Sequence, residues 1–484
     1  MCNYNAPSDA PQEVASHQIL FGTGVNNMFS IRLIRHAAIA GLTAVLMIPL
    51  VASARDIPTN GPILAAPDDL STAVSLDYVL DISAFFNDPA NKVKIQFPSP
   101  ETQFAWVNIS KYYPTAQVMR NGQVSELPYA INPSVAAMEY RNKAGDWVSV
   151  DEHFATKPID AMIVVKGGQI VYERYKTMRP TDKHLWFSVS KVTGSTMLAF
   201  LEQEGRVDVS QPVSTYLTEL KGSVWDTVAV EEALDMANGL NGTEHDEAEQ
   251  NSRSDPDQIW YRWGATEAVG IAPDVRGRGE TWVDVLSAME RRKPGHEVFE
   301  YNSINTFVMN RIVERVADKP LYEQFSDRIW SKLGMEHDTY YMVSPSGNTL
   351  GFMGINSTLR DMARFAMAFT PSAKQIAGEQ IIPEAIMNKI YDRRYVDQYD
   401  KGWLGKKNTL SFWDDAGKIS NRYQWDAVMS DGDIFKAGVG GQGIYISPAT
   451  DTVVAWFSTS DGNNQEEAMA RAIVKSLAGN PQPR

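Results

Sequence analysis

The chain has 484 residues, 43% of them hydrophobic and 21% charged, with a formal net charge of −14. That is enough apolar chain to bury a full core, and the length accommodates two or three domains or one large enzyme domain with an appendage. The acidic balance, with no block of clustered Lys and Arg, excludes a nucleic-acid surface, because phosphate contacts need concentrated positive charge.

In chain order the first signal is AAIAGLTAVLMIPLV (37–51), preceded by Arg32 and Arg35 and followed by Ala-Ser-Ala at 52–54. A positive flank, a short apolar run and a small-residue site predict a signal peptide cleaved after Ala54. The mature protein is then periplasmic or secreted, with no stable membrane insertion. An uncleaved anchor is the alternative. Residues 1–27 are polar, so Met28 is read as the start, with MFSIRLIRH as the n-region. The sole cysteine, Cys2, precedes this leader, so the mature chain has no disulfide and no thiol nucleophile. We divide the chain into a leader (1–54), a tether and N-terminal appendage (55–150), and a main domain (151–484).

At the start of that domain, Met162 to Val165 and Ile170 to Tyr172 are β-rich runs on either side of Lys-Gly-Gly-Gln, which predicts a hairpin. Residues 188–204 then carry Val192, Met197, Leu198 and Leu201 at helical steps, with Gly205 as the stop. Helical patterns continue in VEEALDMANG, TFVMNRIVERVADK and LYEQFSDRIWSKLG. Strand patterns return in GIYISP and TVVAWFST, before a last helix in EEAMARAIVKSLAG. Strands at both ends around a helical middle predict an α+β fold: an antiparallel sheet built from both chain ends and flanked by helices, with an inserted mostly helical domain.

Three short stretches could carry chemistry. In WFSVSK, Ser188 and Lys191 are three apart, so on one helical turn they share a face. A serine hydroxyl needs a base within reach, and a desolvated lysine can serve. Ser is equally a common N-cap and Lys a common surface residue. In PGHEVFEYNSIN, Tyr301 follows a Pro-Gly turn and could shuttle a proton, or could simply pack. In KAGVGGQGIYISP, the glycines at 438, 440, 441 and 443 indicate close backbone approach, or a plain Gly-rich turn entering an edge strand, which taken alone is the better reading. HEVFE (296–300) lacks the second His of a zinc motif, so no metal site is expected. EHDEAEQ (244–250) has the acidic density to bind a cation but reads better as a solvated acidic loop, and no Gly-x-Ser-x-Gly elbow is present.

Taken together and in this order, Ser188-Val-Ser-Lys191, Tyr301-Asn-Ser303 and Lys436-Ala-Gly438 resemble the serine β-lactamase and penicillin-binding protein superfamily, in its class C-like branch. Trp186 before the serine, Tyr-x-Ser in the second box and Gly-Gly-Gln after the third look most like the group of 6-aminohexanoate-dimer hydrolases and related esterases. RVDVSQPVSTYLTEL, LDMANGL, LGMEHDTYY and STLRDMARFAMAF extend the likeness over about 159–480.

The resemblance implies a serine hydrolase, without metal or cofactor, that cleaves an ester or amide through an acyl-enzyme on Ser188. Lys191 would be the base and Tyr301 the proton relay. The backbone N–H groups of Ser188 and Val439 would hold the oxyanion, with Ser303, Lys436 and Gly438 as supporting contacts. Two departures argue against β-lactams and D-Ala peptides: Ala437 replaces a hydroxyl residue in the third box, and Ser303 replaces Asn in the second. A D-Ala carboxypeptidase or β-lactamase, an acyltransferase and a non-catalytic binding module are the rivals. The partner expected is a small-molecule or short peptide or amide substrate, in a cleft that Trp260, Tyr261, Trp263 and Trp403 could line.

Overall fold

The computed structural model describes residues 75–249, 251–267, 279–411, 418–461 and 464–480. The leader with Cys2, Met28 and Ala54, and the tether through 72, lie outside the described residues.

A seven-stranded antiparallel sheet organises the main domain, in the order Gln169–Tyr175, Ile159–Lys166, Thr452–Ser458, Gly443–Ser447, Ile434–Ala437, Trp425–Val428, Ser420–Arg422. Two strands come from the front of the domain and five from its end, joined where Ile163 pairs with Ala455. The first two strands form the predicted hairpin. Its turn glycines, Gly167 (φ 56°) and Gly168 (φ 74°), occupy the left-handed region that a two-residue turn of this hand requires.

Alternation along the strands divides the core into two layers. Ile163, Val165, Ala455, Phe457, Ile444 and Ile446 point to one face, where Val192, Leu198, Met362 and Phe365 cover them. Met162, Val164, Val454, Trp456 and Tyr445 point to the other, under Met469, Ile473 and Val474 of the last helix, Glu466–Leu477. Each strand is therefore apolar on both faces, which is why TVVAWFST carries no polar alternation.

On the first face the helix Lys191–Gln203 packs on Ser303–Ala317. Gly194 allows the contact, since a Cβ there would lie 2.0 Å from Asn310 Oδ1. A second sheet, Thr115–Val118, Thr339–Met342, Ile355–Ser357 and His184–Leu185, runs antiparallel and delivers the chain directly into WFSVSK. Two of its strands lie within the stretch expected to be mostly helical. The helix expected in VEEALDMANG is only Val230–Leu234, because Met236 turns to φ 51° and the chain leaves the helix. Among the described residues no helix is long and apolar enough to cross a membrane.

Candidate active site

The stretch expected to be one helix from 188 begins as a 3-10 turn, Phe187–Ser190, and becomes α-helical at Lys191. Phe187 has φ 47°, an uncommon conformation for a non-glycine residue. That elbow separates two serines. Ser188 is half-buried and faces a cleft, whereas Ser190 is fully buried and its Oγ accepts the N–H of Ile355 at 3.2 Å.

Lys191 is completely buried. Its Nζ lies 3.1 Å from Ser188 Oγ, 2.8 Å from Ser303 Oγ and 2.9 Å from the carbonyl of Phe352. Burial pushes its pKa down to about 7; Glu244 opposes that shift and Lys436 adds to it. Tyr301 stands between the two lysines, with Lys191 Nζ 5.1 Å and Lys436 Nζ 5.0 Å from its ring centre. Burial, then Asp426 and Glu244, hold the phenol well above its ordinary pKa, while a hydrogen bond with Ser188 works the other way. The phenol therefore stays protonated at rest.

Lys436 Nζ donates to Tyr301 Oη at 3.4 Å and to both oxygens of Asp426 at 2.7 and 2.8 Å. Burial lowers the pKa of Lys436 and Asp426 counters it. Asp426 is one step along from the Ala427–Phe435 strand pair, so it lies across from Lys436. Removing one partner of a buried ion pair strands the other charge. Asp426→Ala is therefore expected to destabilise the fold by about 3 kcal/mol or more, measured by urea denaturation; a midpoint equal to wild type would contradict this.

Ser303 opens the helix Ser303–Ala317, and its N–H donates to Glu244 Oε1 at 2.9 Å. Its hydroxyl donates to the same oxygen. The acidic run at 244 is therefore not the solvated loop expected of it. Glu244 and Glu247 are buried, paired with Arg253 at 3.3 Å and Arg292 at 2.8 Å, and His245 stacks on Trp403 at 4.1 Å. Burial alone would raise the pKa of Glu244, and the charges of Arg253 and Lys191 outweigh it.

The glycine-rich stretch also differs from the plainer reading. Its strand, Gly443–Ser447, is interior to the sheet, and the single turn Val439–Gly441 sits against the serine elbow. A Cβ on Gly438 would lie 2.6 Å from Trp186 O and 3.1 Å from Ser188 N. Only a glycine lets this backbone approach the Ser188 amide so closely.

Around Ser188 the cleft is lined by Phe187, Trp260, Trp263, Phe352, Met353 and Ser303, with Glu244, Arg253 and Gln96. Ser188, Lys191, Tyr301, Ser303, Lys436 and Gly438 thus meet at one place, and Val439 follows Gly438 into it. Tyr261 is buried in the core. The sequence reading missed Glu244, Asp426, the Phe352 carbonyl and Gln96. Of these only Asp426 left a signal, through the Ser-Asp-Gly-Asp turn that pairs its strand with that of Lys436.

Comparison with known proteins places the chain in a family. The beta-lactamase family model matches residues 151–478. The 6-aminohexanoate-dimer hydrolase of Paenarthrobacter ureafaciens is 26% identical over 364 residues, 75% of this chain and 86% of that protein. Among solved structures, a Bacillus anthracis protein provisionally named a 6-aminohexanoate-dimer hydrolase superposes with a TM-score of 0.68 at 24% identity, covering 82% of this chain and 99% of its own. EstCE1, a hydrolase with promiscuous acyltransferase activity, superposes at 0.50 and 14% identity, over 67% of this chain and 96% of its own. A lysine that reaches the serine three residues before it, a tyrosine between two lysines and a glycine-rich strand against the serine amide therefore stand in a chain that belongs to the beta-lactamase family, a hydrolase of the serine β-lactamase and penicillin-binding protein superfamily.

Proposed function

We propose that this chain is an exported serine hydrolase that cleaves an ester or amide bond through an acyl-enzyme on Ser188. The observation that carries the reading is the hydrogen-bond accounting around Lys191. A neutral amine has two N–H groups and one lone pair. The Phe352 carbonyl can only accept, and Ser303, whose own proton goes to Glu244, can also only accept from Lys191. In the neutral amine both N–H groups are thereby committed, and the lone pair is left to accept from the Ser188 hydroxyl 3.1 Å away; the protonated amine instead donates to Ser188 Oγ as well. Glu244 orients the base through Ser303.

In the first half-reaction Lys191 takes the Ser188 proton as Oγ bonds to the substrate carbonyl carbon. The oxyanion forms between the N–H groups of Ser188 and Val439, donors of a kind worth about 3 kcal/mol each. Tyr301, hydrogen-bonded to Ser188 and backed by Lys436, passes a proton to the departing alcohol or amine as its bond to carbon breaks. Water then enters; it loses a proton through the same relay, attacks the acyl carbon, and Ser188 leaves with its proton restored.

The cleft wall supports an uncharged or short acyl group, because it is mainly apolar around Ser188. Ala437 offers no hydroxyl and Ser303 is already engaged by Glu244, so β-lactams and D-Ala peptides are the poorer substrates. The relative named for 6-aminohexanoate dimer points to linear amides. The acyl-transfer activity of EstCE1 makes transfer to an added alcohol or amine the second reading. The export half of the proposal rests on residues 32–54, and a mature N-terminus at Arg55 is its test.

The deciding experiment offers the mature protein p-nitrophenyl esters, linear amides, D-amino-acid peptides and a chromogenic cephalosporin, with quenched samples read by mass spectrometry. Expected are turnover of esters or linear amides and an acyl mass on the peptide containing Ser188. Fast cephalosporin turnover with inert esters and amides would replace the reading with that of a β-lactamase.

A further inference from the structure

The family match begins at residue 151, yet part of the cleft is built by residues well before it. The helix Pro100–Trp106 is fixed at its start by a capping box between Ser99 and Thr102, and Gln103 Nε2 ties it to Asp160 on the sheet at 2.9 Å. At its end Trp106 is completely buried. One edge of the ring meets Phe187, the residue before the nucleophile, with ring centres 4.8 Å apart at 79°. Another part of the ring lies against Gly440, where a Cβ would be only 2.6 Å from Trp106 Cζ3. The indole is thus wedged between the serine elbow and the turn that carries Val439. Its Nε1 donates to the carbonyl of Ile95 at 2.8 Å, and the next residue, Gln96, lines the cleft beside Ser188.

We propose that residues 76–113 form a wall of the active site, in which Trp106 positions the Val439–Gly441 turn against Ser188 and Gln96 limits the size of the acyl group admitted. The inference rests on Ser188 being the nucleophile. Trp106 touches no reacting atom and is a positioning residue. Gln96 meets substrate directly. The physical basis is the steepness of oxyanion stabilisation with geometry: donors must sit 2.7–3.1 Å from the developing charge, so a shift of about 1 Å in the turn costs on the order of 100-fold in rate.

The test is the rate of single-step phosphonylation of the mature chain by two fluorophosphonates, one bearing methyl and one bearing octyl. In that step Ser188 Oγ bonds to phosphorus, fluoride leaves and the serine proton passes to Lys191. Gln96→Ala is expected to raise the octyl-to-methyl rate ratio at least fivefold. Trp106→Phe keeps a ring against Phe187 and Gly440 but loses the N–H that holds Ile95, and should shift the ratio in the same direction. Trp106→Leu should in addition slow both probes at least tenfold at a temperature where circular dichroism shows a folded protein, an effect that loss of stability alone would not produce. Should that variant not fold, the other two still decide. A labelled wild type with the ratio unchanged in both Gln96→Ala and Trp106→Phe overturns this inference alone. An unlabelled wild type overturns the Ser188 reading and the inference with it.

Discussion

Ser188→Ala is expected to lower kcat by about 10⁴-fold or more, because on the proposed mechanism it removes the group that forms the covalent bond, and that group has no substitute within reach. The neighbouring hydroxyl on the same turn, Ser190, is held inward by the Ile355 N–H and cannot swing into the cleft without breaking that bond. Stability should change little, by about 0.5 kcal/mol, since Ser188 is half-exposed and the elbow is held by backbone contacts around Trp186. The measurements are steady-state turnover on the best substrate from the panel, and the thermal midpoint. Turnover within tenfold of wild type, with the fold intact, would remove Ser188 from the mechanism.

Lys191 gives the second large effect, and its sign follows from burial. A base must be neutral to accept the serine proton, and Lys191 is held at about 7. Activity should therefore be full above that pH and fall about tenfold per unit below it. Lys191→Arg keeps the charge at all working pH values, so turnover should drop by about 10³-fold or more and the acid limb should vanish from what remains. Stability moves too. Between about 7 and the ordinary lysine value of 10.5 the unfolded chain binds a proton that the folded chain does not, so Lys191 makes the fold more stable as pH rises through that window. Below it the cost of burying the charged amine is on the order of 5 kcal/mol. Lys191→Met should abolish turnover and flatten this pH dependence of the urea midpoint. An acid limb that survives in Lys191→Arg would assign the titration to another group.

The sheet and the three boxes were legible because local chemistry wrote them. Gly167 and Gly168 demand positive φ, Thr452 to Ser458 is a β-rich run, and Gly205 ends a helix that the apolar spacing describes. The rest depends on partners far along the chain. Glu244 has the composition of a solvated loop, and its burial follows from Arg253 and from Ser303, 59 residues away. The Phe352 carbonyl that fixes the amine is backbone and has no sequence signature. Trp106 looks like any core tryptophan until its ring is found against a bare glycine more than 300 positions later. The edge-strand reading of the glycine stretch failed because strand order, not strand composition, makes Gly443–Ser447 interior.

Joining both chain ends in one sheet also governs when the molecule can come alive. The strand Ile159–Lys166 waits for a partner, Thr452–Ser458, that is about 290 positions further along and leaves the ribosome tens of seconds later at ordinary elongation rates. Until then Ser188 and Lys191 exist without the turn at Val439, and the exposed edge of the first hairpin is open to mispairing. A chain ended before Ala437 would keep Ser188, Lys191 and Tyr301 but lack Val439, so on the proposed mechanism it would have half an oxyanion site and should be inactive.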